Sequence, residues 1–143
     1  MPTPSEVAGT GDTGQTGGIA GTVELRVPAS SAFVAVLRSV TAGLAARCDL
    51  TLDEIEDLRI AVDEASALMV PIALPNAELA TVFTLGSGEL VVKMDVATRT
   101  GAQLRRDGFG WTVLEALVSE VATEQTTESL TITLTKRREP AAQ

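Results

Sequence analysis

The chain has 143 residues, with 19 acidic against 11 basic side chains, a formal charge of −8 and no histidine. This length supports one domain around one core, and the acidic balance disfavours direct binding to nucleic acid or an anionic membrane, both of which draw on positive charge. Without histidine, Ser-His-Asp, Cys-His and histidine-zinc chemistries are excluded, so any catalysis rests on carboxylates or on a bound nucleotide and its metal.

Residues 1–21 are dominated by Gly, Thr, Pro and small polar residues and show no basic segment followed by an apolar one. They are expected to form a disordered leader rather than a signal peptide. Cys48 is the single cysteine, so no internal disulfide is expected, and no apolar run approaches the ~20 residues that span a bilayer. A cytoplasmic protein is the expectation.

From Val23 to Pro28, Val23, Leu25 and Val27 alternate with Glu24 and Arg26, the pattern of a half-buried strand. Ser30 or Ser31 then caps a helix with Phe33, Leu37, Val40 and Leu44 on one face, running to about Ala46. A second helix is expected from about Leu52 to Val70. Thr51 and Glu54 form a capping box at its start, and Ile55, Leu58, Val62, Ala65, Met69 and Ile72 make one buried stripe. Pro71 lacks an amide proton and crowds the preceding turn, which stops or kinks the helix there. A different face of the same helix carries Asp57, Ala61, Glu64 and Leu68.

Leu79 to Leu85 and Glu89 to Val96 read as a hairpin around Gly86-Ser87-Gly88. Ala97 to Asp107 has no clean period and reads as a loop, with Arg99, Arg105 and Arg106 as either a polyphosphate clamp or a solvated basic surface. Gly108-Phe109-Gly110-Trp111 leads into a third helix, with Val113, Leu114, Leu117, Val118 and Val121 on its buried side. Ser129 to Lys136 alternates apolar residues with threonines and closes the domain as a strand. Residues 22–138 are thus expected to form the domain and 139–143 a tail. The hairpin and the paired early helices predict an α+β two-layer sandwich, its sheet mixed but mainly antiparallel, with helices over one face.

The order of these elements resembles that of the anti-sigma factor serine-protein kinase family, in its divergent actinobacterial branch. The resemblance covers about Val23 to Arg138 and is carried by Ala61-Val62-Asp63-Glu64-Ala65, by Gly108-Phe109-Gly110-Trp111-Thr112-Val113-Leu114, and by Thr131-Ile132-Thr133-Leu134-Thr135-Lys136. It implies the histidine-kinase-like ATPase (Bergerat) fold, ATP and magnesium as cofactors, and homodimerisation. It also implies two partners, a sigma factor held away from RNA polymerase and an anti-anti-sigma protein whose serine is phosphorylated.

Carried over by motif, Glu64 falls on the family's catalytic glutamate, which polarises the attacking serine hydroxyl. Asp95 falls on the adenine-reading aspartate, without the glycines that follow it in the family. Gly108 and Gly110 fall on the phosphate-side turn, and Thr131 on the final-strand threonine. Leu68 stands where the family has a magnesium-binding asparagine and offers no lone pair, so no metal ligand is assigned.

Blander readings stand beside these. Glu64 also reads as a solvated helical carboxylate, Asp95 as turn chemistry, the glycines as a helix entry, Cys48 as a small residue near the core, and Trp111 as core or shallow interface. The function expected is an anti-sigma factor that sequesters a sigma factor and is released by partner exchange. The alternatives are an active protein-serine kinase and a non-catalytic nucleotide or small-molecule sensor.

Overall fold

A computed structural model describes residues 20–140. The expected leader therefore lies outside the described residues except for its last two positions, and 141–143 of the expected tail lie outside them as well. Among the described residues, five strands form one sheet in the order β1-β2-β3-β5-β4: β1 Gly21–Pro28, β2 Glu78–Gly86, β3 Glu89–Ala97, β4 Glu120–Gln125 and β5 Ser129–Arg137. Every pairing among them is antiparallel, so the sheet has no parallel component to make it mixed. Three helices, α1 Val34–Arg47, α2 Leu52–Met69 and α3 Phe109–Leu117, cover one face.

Period-two alternation decides which side chains meet the helices. Phe83 and Leu85 on β2, Leu90, Val92 and Met94 on β3, and Leu130, Ile132 and Leu134 on β5 are buried against Leu37 of α1 and Leu58, Val62, Ala65 and Met69 of α2. The intervening residues, among them Lys93, Asp95, Thr131 and Thr133, point to the other face of the sheet.

Local signals set the ends of α2. The Thr51 hydroxyl accepts from the Glu54 amide at 3.2 Å, and Glu54 Oε1 accepts from the Thr51 amide at 2.8 Å, closing the capping box. At the other end α2 gives way at Met69 to a single 3-10 turn, Val70–Ile72, with Pro71 inside it. The hairpin turns on Ser87-Gly88, where Gly88 at φ +76° takes up a conformation that L side chains rarely adopt.

Two expectations are corrected. The α1 face is rotated from its expected setting: Leu37, Thr41 and Ala45 are buried, Val40 and Leu44 are half-buried, and Phe33 is 41% exposed in a 3-10 turn ahead of the helix. The third helix is also shorter, ending at Leu117. Val118 is already extended, and Val121 belongs to β4 rather than to a helix. The apolar spacing runs on past Leu117, but the outer edge of β5 carries unpaired backbone groups, and the β-branched Val121 and Thr123 suit a strand that satisfies them.

Lys136 is 6% exposed and sits on the helix-facing side of β5. Its ammonium donates to the Leu117 carbonyl at 2.7 Å, at the C-terminal end of α3, and lies 3.4 Å from Asp57 of α2. A positive charge is favourable at a helix C-terminus, and here one ammonium ties two helices and a strand together. Cys48 is fully buried. Burial pushes its thiol above the ordinary value of 9.0, only partly offset by a hydrogen bond from the Gly86 backbone.

Glu54 Oε2 also accepts from the Glu139 amide at 2.7 Å. Burial works against ionisation of this carboxyl. The Glu139 and Thr51 hydrogen bonds and the Lys136 charge outweigh it and hold the group below its ordinary 4.5. A depressed folded-state pKa gives stability that is present above the unfolded value and is lost as pH falls through the folded one. Urea unfolding of the wild type and of Glu54→Gln should therefore show a wild-type advantage that is constant from neutral pH to about pH 5 and shrinks below about pH 4.5. At neutral pH, Thr51→Ala should cost about 1 kcal/mol in the same measurement.

Candidate functional site

Helical periodicity places Asp57, Ala61, Glu64 and Leu68 on one face of α2, and α3 packs directly on that face. The two helices meet at Gly110, in the first turn of α3. A Cβ there would stand 3.1 Å from Glu64 Oε1 and 3.8 and 3.9 Å from the Cδ2 and Cγ atoms of Leu68. A side chain here would be tight against Glu64 Oε1, and the end of the Glu64 side chain would have to give by a few tenths of an ångström. The conformation at Gly108 is extended and a Cβ there would meet nothing within 4 Å, so neither strain nor crowding asks for glycine.

Glu64, Leu68 and Gly110 are thus one cluster, with a half-buried carboxylate beside an aliphatic side chain at the start of α3, and Gly108 stands apart from it. In this pair only Glu64 offers oxygen. Among the described residues no group of three His, Cys, Asp or Glu side chains is placed to hold a metal ion.

Asp95 and Thr131 form a second cluster. The Thr131 hydroxyl donates to Asp95 Oδ1 at 2.6 Å across the β3–β5 ladder. Both lie on the face of the sheet turned away from the helices, since their neighbours Met94, Val96, Leu130 and Ile132 are buried beneath the helices. The sheet therefore separates this pair from Glu64 and Gly110. On the helix side, the end of β3 presents Val96, 1% exposed, followed by the buried Thr98, whose hydroxyl has no hydrogen-bond partner. The alternation Leu90, Val92, Met94, Val96 was the available sequence signal for this, because it assigns Asp95 to the opposite face.

The three loop arginines do not converge. Arg99 donates to the Pro71 carbonyl at 3.1 Å, Arg105 pairs with Asp107 at 3.5 Å, and Arg106 lies 4.9 Å from the centre of the Trp111 ring while hydrogen-bonding Thr123. Trp111 is accordingly a core residue covered by a guanidinium. Gln125 of β4 holds the loop further, donating to the Ala102 carbonyl at 2.6 Å and accepting from the Leu104 amide at 3.4 Å. Gln125 and Lys136 escaped the sequence reading because each acts on a segment distant along the chain. Phe109, between the two glycines, is 83% exposed.

The α2–α3 contact has a measurable signature. Gly110→Val forces a branched side chain toward Glu64 and Leu68 and should lower stability by about 1–3 kcal/mol. Gly108→Ser fills open space with a favoured N-cap residue and should leave stability unchanged or raise it by up to about 1 kcal/mol. Chemical denaturation of the two variants separates a packing glycine from a permissive one.

No protein-family model matches the chain. Among curated proteins it is 37% identical over 101 residues to the anti-sigma-F factor RsbW of Mycobacterium tuberculosis, covering 71% of this chain and 60% of that protein. It is 31% identical over 135 residues to the serine-protein kinase RsbW of Bacillus subtilis, covering 80% of this chain and 84% of that protein. The chain thus spans less than two thirds of the mycobacterial relative and most of the bacillar one. A crystal structure of the RsbU and RsbW domains of a Mycobacterium tuberculosis protein superposes with a TM-score of 0.66 at 20% identity, over 85% of this chain and 34% of that one. At that identity the superposition speaks for the fold.

Proposed function

Since the chain belongs to the RsbW family of anti-sigma factors and serine-protein kinases, we propose that it is an anti-sigma factor that works by docking. In this reading it holds an alternative sigma factor away from RNA polymerase and releases it when an anti-anti-sigma protein competes for an overlapping surface. The observation that supports the reading is α3 packed on the Glu64 face of α2 beside the aliphatic Leu68, which stands where the family resemblance implies a magnesium-binding asparagine. The residues do not fit a magnesium triphosphate. One carboxylate is at hand, the arginines are engaged elsewhere, Asp95 faces the far side of the sheet, and Val96 lines the near side.

Partner exchange needs no phosphoryl transfer. If both partners bind the native chain on overlapping surfaces, concentration and affinity set the outcome. The charge of −8 favours a partner with a basic docking surface, and the exposed Phe109 is the kind of aromatic that anchors a protein contact. A cytoplasmic homodimer is part of the proposal. Among the described residues no helix is long and apolar enough to cross a membrane.

The half-buried Glu64 carboxylate favours one second reading, a serine-protein kinase like the Bacillus relative, with Glu64 orienting the serine hydroxyl. Two measurements divide the readings. With neither ATP nor magnesium present, the purified chain should co-elute with its sigma factor at micromolar concentration, and excess anti-anti-sigma protein should displace the sigma factor. Independent elution would sink the docking proposal. Labelled ATP, magnesium and the anti-anti-sigma protein should give no labelled serine; incorporation that disappears in Glu64→Ala would establish the kinase instead.

A further inference from the structure

On another side of α2 from Glu64, a cleft of about 390 Å³ opens between the start of α1 and the end of α2. Its walls are Val34 and Ala35 on α1, Ala67 and Val70 on α2, and Pro71. Pro71 is there because it ends α2 and turns the chain into the 3-10 segment that closes one end of the cleft.

Two polar features mark it out from a mere gap between helices. Arg38 and Asp63 span the cleft from opposite helices, with Arg38 Nη1 at 2.8 and 2.7 Å from the two carboxylate oxygens. Each charge answers the other, so the lining has no net charge to offer an ionic ligand. Ser66 also lines the cleft and is fully buried, and its hydroxyl has no hydrogen-bond partner. A buried unpaired hydroxyl is costly, and a buried helical serine would ordinarily bond the carbonyl one turn back.

We infer that the α1–α2 cleft is a binding site for a small uncharged molecule with an apolar body and one hydroxyl or carbonyl group, which pairs with Ser66. The volume falls in the range of small-molecule sites, and a mostly apolar lining with a few placed polar groups is their usual chemistry. An ionised ligand would lose its hydration without gaining a free counter-charge. The inference does not rest on the sigma-factor reading, because none of the residues it uses is Glu64 or Leu68.

Benzyl alcohol, toluene and benzoate serve as probes, followed by amide chemical shifts of the full chain. Benzyl alcohol should give saturable shifts confined to residues 31–38 and 63–71, and bind roughly five-fold tighter than toluene, the worth of one hydrogen bond. In Ser66→Ala that difference should vanish while toluene still binds. Ala67→Phe, at an exposed helical position, should weaken both neutral probes by about tenfold or more by filling the cleft. The inference is overturned by shifts that fail to saturate or spread over the fold, by benzoate binding as well as benzyl alcohol, or by unchanged binding in Ala67→Phe.

Discussion

The packing of α3 against α2 governs the helical side of this protein. It is held at both ends by unlike means. At the start of α3, Gly110 lets the backbone approach Glu64 and Leu68 to a distance that a side chain would make tight. At its end, the buried Lys136 ammonium engages the Leu117 carbonyl and Asp57 together. Steric permission and a buried charge thus set the same helix pair, and what lies between, Ala61 and Leu114, is fully buried apolar surface. A helix so placed leaves Glu64 beside an aliphatic neighbour.

The sheet imposes the second constraint. Because one face of an antiparallel sheet is covered and the other is open, a residue's parity along its strand decides which chemistry it can join. Asp95 and Thr131 satisfy each other on the open face, among Lys93 and Thr133. Shifting Asp95 to the helix side would take a one-residue slip of β3, which would expose Leu90, Val92 and Met94 at the same time. Burial of those side chains therefore outweighs any role for the aspartate beneath the helices.

The loop between β3 and α3 shows how a basic segment can be structural. Its arginines are used on the chain itself: one on the Pro71 carbonyl, one on Asp107 and one over the Trp111 ring. Gln125 then fastens the loop to β4.

Read alone, the amino-acid sequence determined what depends on neighbours along the chain. Thr51 and Glu54 announced the start of α2, Pro71 its end, Gly86-Ser87-Gly88 the hairpin, and the alternations of β3 and β5 their buried faces. The layered fold follows from those patterns, and helical spacing already put Glu64 and Leu68 on one face of α2. Tertiary structure alone decided that β5 needs a further strand and takes Val121 from an expected helix, that Trp111 lies under Arg106, and that Gly110 rather than Gly108 meets Glu64. The physical reason is the same in each case. These outcomes rest on contacts between residues far apart in sequence, where unpaired strand edges, available space and buried charge compete, and local periodicity carries no record of which partner wins.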